Sequence, residues 1–172
     1  MPNLYSAAQP PRDDDLNRTV RQWRPGEPRP GVITAAMVIT LLVGVAMVVF
    51  GVVMLTLKWD RAAESAEEAE YMAFVVRNVR IMAGINIILG VIIGALSPQL
   101  LKGNARARKF LMIASGLAIF FLLAGWVMQF TGPGQALLAL GLAIALLLAY
   151  RPASNSFFDA TAGAADSAQG SK

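Results

Sequence analysis

Charged residues are excluded from three stretches of this chain, Gly31 to Leu57, Ile81 to Leu101 and Phe110 to Tyr150. A helix crossing a hydrocarbon layer about 30 Å thick needs roughly 20 apolar residues, so each stretch is long enough to span one. The third is 41 residues long and carries Thr131-Gly132-Pro133-Gly134 near its middle. Gly and Pro in that arrangement are turn chemistry, so this stretch divides into two spans joined by a tight hairpin. The pattern predicts an all-α, integral membrane four-helix bundle. Its transmembrane domain covers 31–150, with spans at about 31–57, 81–101, 110–131 and 133–150.

The flanks read differently. Residues 1–30 hold six of the nine prolines, the run Asp13-Asp14-Asp15 and five arginines. Such a segment buries too little apolar surface to offset its ordering entropy, so a disordered tail is expected. The apolar run after Pro30 is about twice the length of a signal-peptide core and lacks a small-x-small cleavage site, so it is expected to persist as the first span. Residues 151–172, rich in Ala, Ser, Gly and Asp, read as a second disordered tail. Phe157 and Phe158 stand out within it and are expected to return to the membrane interface, where aromatic side chains collect.

The connector 58–80 between the first two spans is charged but free of Gly and Pro. Asp60 is a candidate N-cap, and the run from Arg61 to Glu70 is rich in good helix formers. The second span is therefore expected to begin as a helix near Arg61 and to project roughly 30 Å beyond the apolar layer. Basic residues set its side. Arg12, Arg18, Arg21, Arg24, Arg29, Lys102, Arg106, Arg108, Lys109, Arg151 and Lys172 fall on one side, and Lys58, Arg61, Arg77 and Arg80 on the other. The excess of the first set places both termini in the cytoplasm.

Composition narrows the chemistry. The chain has no Cys and no His. Disulfides, thiolate metal sites, iron–sulfur clusters, histidine-ligated haem and imidazole acid–base catalysis are therefore closed to it. No P-loop, no catalytic Ser-His-Asp set and no acid within a span is present, so no cofactor, metal or catalytic residue is assigned and no enzyme is expected. The net charge of +4 fits a cytoplasmic basic bias better than nucleic-acid binding. Arg outnumbers Lys eleven to four, a composition associated with high-GC bacterial genomes.

Small residues repeat along the spans. Asn86, Gly90 and Gly94 recur every four residues on one face of the second, and Gly90 to Gly94 forms a GxxxG. That spacing lets a neighbouring backbone approach closely, which is how helices associate where no hydrophobic drive separates them from lipid. Gly44 and Gly51 mark the first span and Gly125 the third. These six residues are the expected packing or partner interface, within the chain, with another membrane protein, or in a homo-oligomer. Asn86 and Gln129 are read as the amides well inside the spans and are candidates for a polar pocket.

Two basic groups are candidate headgroup sites for anionic lipids. Lys102, Arg106, Arg108 and Lys109 cluster on the cytoplasmic side, and Arg77 and Arg80 sit one turn apart at the outer mouth of the second span. With no sign of catalysis, the expected function is an accessory or scaffolding subunit packed against a larger membrane complex. A small multimeric transporter or channel, or a lipid-binding membrane protein, is the alternative.

Overall fold

The computed structural model describes residues 23–24, 26–58 and 62–169, with the side chains of the final helix described as far as Ala162. Arg12, Arg18, Arg21, the Asp13–Asp15 run, Asp60 and Arg61 lie outside the described residues. Among the described residues five α-helices follow one another: α1 Gly31–Thr56, α2 Ala66–Leu96, α3 Ala105–Val127, α4 Gly134–Ala149 and α5 Pro152–Gln169. A 3₁₀ segment, Ser97–Lys102, joins α2 to α3. No strand occurs among the described residues.

The first four helices form an up-down ring in which α1 packs on α2 and α4, and α3 packs on the same two neighbours. Met47, Leu89, Ile93, Leu111, Leu122 and Leu142 meet at its centre. Leu100 of the 3₁₀ segment closes one end. Alongside these aliphatics the interior uses small residues such as Ala36, Gly51, Ala83, Ser115, Ala118 and Ala145, whereas large aliphatics point outward; Leu137 and Leu147 are 70% and 72% exposed. Large outside and small inside is the arrangement that suits helices packed in an apolar solvent, where close backbone approach rather than hydrophobic burial gains energy. Two buried hydroxyls bond one turn back along the chain: Thr40 Oγ1 donates to Ala36 O at 2.6 Å and Ser97 Oγ to Ile93 O at 2.7 Å.

Three helices, α1, α2 with its 3₁₀ continuation, and α3, are long and apolar enough to cross a membrane. The fourth expected span is shorter than predicted. At 16 residues α4 extends about 24 Å, less than the hydrocarbon layer. It reaches span length only together with the first part of α5, from which it is bent by 61°. The hairpin at 131–134 falls where the turn residues place it, between the end of α3 and Gly134.

Two sequence expectations are corrected. The second helix begins at Ala66, not near Arg61. Ser65 caps it by accepting from Glu68 N at 3.1 Å, while Glu68 Oε2 accepts from Glu64 N at 2.8 Å. This near-reciprocal cap stops the helix where good helix formers alone would have let it run on. From there α2 continues unbroken through Tyr71 into the apolar span.

The expected C-terminal disordered tail is also overturned, because Pro152–Gln169 is helical. Proline suits a first helical position, and Ser154, Phe157, Phe158 and Thr161 then fall at i, i+3, i+4 and i+7 on one face. Ser154 and Phe158 are fully buried, so the aromatic pair returns to the protein itself rather than to a membrane interface.

Candidate functional site

The small-residue seam sorts into three parts. Gly44 and Gly90 are where α1 and α2 touch backbone to backbone. A Cβ on Gly44 would lie 3.0 Å from Gly90 O, and one on Gly90 would lie 2.7 Å from Gly44 O. Gly51 is equally tight, its Cβ position 2.8 Å from Ala83 O. Gly125 faces the hairpin, with Thr131 Oγ1 3.2 Å from its Cβ position. Gly94 shares the crossing through its backbone, its N 3.1 Å from the Gly44 Cβ position, but nothing lies within 4 Å of the Cβ it lacks. Beside the Gly44–Gly90 crossing, Gly94 and Ala95 of α2, with Val45 and Val49 of α1, line an outward-facing apolar groove.

The polar pocket is built from different residues than expected. Asn86, 4% exposed, donates from Nδ2 to Gln135 Oε1 at 3.4 Å, and Gln135 is 3% exposed. Met54 Sδ lies 4.0 Å from Asn86 Nδ2 and 3.8 Å from Gln135 Nε2. Gln129 does not join them. Its side chain is exposed and donates to Trp126 O at 3.4 Å, while its backbone takes a left-handed φ of 62°. It closes α3 as a Schellman cap: Phe130 N bonds Gly125 O at 2.9 Å and Gln129 N bonds Trp126 O at 3.0 Å.

Gln135 was missed because it directly follows the turn, where a polar residue needs no explanation. The signal was its period: Gln135, Ala139, Leu142, Ala145 and Ala149 form the buried face of α4. Gln129 and Gln135 do share the rim of a concavity of about 410 Å³ at this end of the bundle, together with Phe50, Met54, Leu57 and Phe130.

At the opposite end the expected cationic cluster is divided. Lys102, Arg106 and Lys109 are exposed, but Arg108 turns inward beneath α5. Its guanidinium stands 4.8 Å from the Tyr150 ring centre and 4.3 Å from that of Phe158. Nη1 donates to Asn155 Oδ1 at 2.8 Å. Guanidinium between two aromatic faces combines cation–π attraction with planar stacking, a geometry lysine does not reproduce.

Trp23 completes the cluster. Its ring meets Phe157 edge-on at 5.1 Å, its backbone N donates to Ser156 Oγ at 2.9 Å, and its indole N–H reaches the carbonyls of Glu27 and Pro28, each at 3.1 Å. The end of the N-terminal segment is therefore fixed on α5, against the expectation of disorder there. The Phe157-Phe158 pair after Pro152 was the available signal for this contact.

Arg77 and Arg80 are exposed on the N-terminal half of α2 and form no ion pair among the described residues; Arg77 lies 5.8 Å from the Phe74 ring centre. Among the described residues no group of His, Cys, Asp or Glu is arranged to hold a metal ion.

An all-helical bundle with three or four apolar helices is compatible with a multi-pass membrane protein. Comparison with family models, curated proteins and solved structures found no match to this chain.

Proposed function

We propose that the chain is a non-catalytic multi-pass protein of a bacterial inner membrane, with both termini in the cytoplasm, that packs as an accessory or scaffolding subunit against a larger membrane complex. The observation that carries this reading is the groove beside the α1–α2 crossing. Gly44 and Gly90 pack against each other at its base, and Gly94 and Ala95 of α2 leave little side-chain bulk opposite Val45, Val48 and Val49 of α1. An apolar helix from a partner protein fits such a surface, because its side-chain ridge reaches the backbone and gains dispersion contacts that lipid tails make less well. The exposed Lys102, Arg106 and Lys109 then serve as an anionic-lipid contact that holds this end at the cytoplasmic leaflet.

The test is purification in a mild detergent followed by native mass spectrometry. A stoichiometric membrane-protein partner supports the reading. A single species containing only this chain, monomeric or homomeric, removes it.

A further inference from the structure

We propose that the concavity where α1, α2 and the α3–α4 hairpin meet binds an uncharged, hydroxyl-bearing lipid head. Two buried amides stand at its inner end. Asn86 and Gln135 together offer four N–H donors and two carbonyl acceptors. The contacts they make are one amide–amide bond at 3.4 Å and two long approaches to Met54 Sδ. Among the described residues Gln135 Nε2 has only a thioether, a weak acceptor, and Thr131 Oγ1 beside it is buried without a partner. Buried amide groups left this way are destabilising unless something else completes them.

Gln135, Thr131 and Met54 form part of the wall of the 410 Å³ concavity, so an outside molecule has a route to the Gln135 amide and the Thr131 hydroxyl. The wall selects its chemistry. The described lining is uncharged, which suits an uncharged head better than a phosphate or carboxylate. Phe50, Leu57 and Phe130 supply apolar surface for the start of an acyl or alkyl chain. A hydroxyl both donates and accepts, so one such head pairs with the Gln135 N–H and the Thr131 hydroxyl together. A glycerol ester and an alkyl glycoside share this chemistry. The inference does not depend on the accessory-subunit reading, since it concerns the other end of α1 and α2 from the Gly94 groove.

The test uses the full chain in phosphatidylcholine nanodiscs with a diazirine-bearing monoacylglycerol as probe, cross-linked peptides being mapped by mass spectrometry. Label should concentrate within 50–57 and 129–137. Excess monooleoylglycerol or octyl glucoside should displace it, and whichever competes identifies the head. Because Gln135→Leu alone strands Asn86, the paired replacement Asn86→Leu with Gln135→Leu is used, and it should lower site labelling about fivefold or more. Leu57→Trp, which narrows the mouth without touching the amides, should lower it as well. Label spread evenly over the outer faces of α1 and α3, label unchanged in both variants, or displacement by lysophosphatidylglycerol alone would each overturn the proposal. Absence of site labelling, as when water alone completes the amides, would overturn it too.

Discussion

Single side chains in this protein carry identifiable costs, and two of them lead to stability predictions. Gln129 holds a left-handed backbone at the cap of α3, a conformation that disfavours a Cβ by about 1 kcal/mol. Gln129→Gly should therefore raise the melting temperature in detergent, by a gain of up to about 1 kcal/mol. Ser115 Oγ is buried without a partner. Ser115→Ala removes an unpaired polar group and leaves almost no cavity, so it should be neutral or stabilising by about 1 kcal/mol, read by the same melt. The Asn86–Gln135 pair shows how far residue-level reading reaches. An amide within an apolar span needs a partner, which Asn86 announced, but the partner depended on which of two glutamines flanking a turn faced inward. That choice was made by the Schellman cap, which turned Gln129 out, and by the period of α4, which turned Gln135 in.

At the scale of elements, α5 is held by few contacts, so its docking should respond to single changes. Arg108 gives it one aromatic contact, Phe158, and one charged hydrogen bond, to Asn155, while also stacking on Tyr150 at the end of α4. Arg108→Lys keeps the charge but loses the fork and the stacking, and should weaken docking by about 1–2 kcal/mol. Arg108→Ala should cost more. Hydrogen exchange over 152–162 would rise in both while the exchange of α1 and α2 stays unchanged. Gly103 offers an independent test, because its φ is 68° and a Cβ there would lie 2.7 Å from Thr161 Oγ1. Gly103→Ala should loosen the same helix, with a penalty of about 1–2 kcal/mol.

The sequence made the first three helices legible through one physical rule, the exclusion of charge from apolar helices, and marked the hairpin with Gly and Pro. It made α5 hard to see because Ala, Ser, Gly and Asp carry no strong pattern, and only Phe157 and Phe158 reveal a buried face. The start of α2 was misjudged for a related reason: helix propensity extends a helix until a cap intervenes, and Ser65 with Glu68 caps it five residues late.

For the whole molecule, the account rests on how one seam is divided between the chain's own packing and a partner. Gly44 and Gly90 sit at the internal crossing, where an added side chain meets backbone at 3.0 Å or less. Gly94 opens outward. Gly44→Leu should therefore disrupt the bundle, at a cost of about 3 kcal/mol or more, and would lose any partner only as a consequence of misfolding. Gly94→Leu separates the two roles. It should leave the melting temperature of the isolated protein within about 0.5 kcal/mol of the original, as surface substitutions generally do, while filling the groove. The decisive measurement is partner retention by Gly94→Leu in mild detergent, read by quantitative mass spectrometry beside its melting curve. The account predicts an unchanged melt with the co-purifying membrane protein lost. An unchanged melt with the partner fully retained would contradict it.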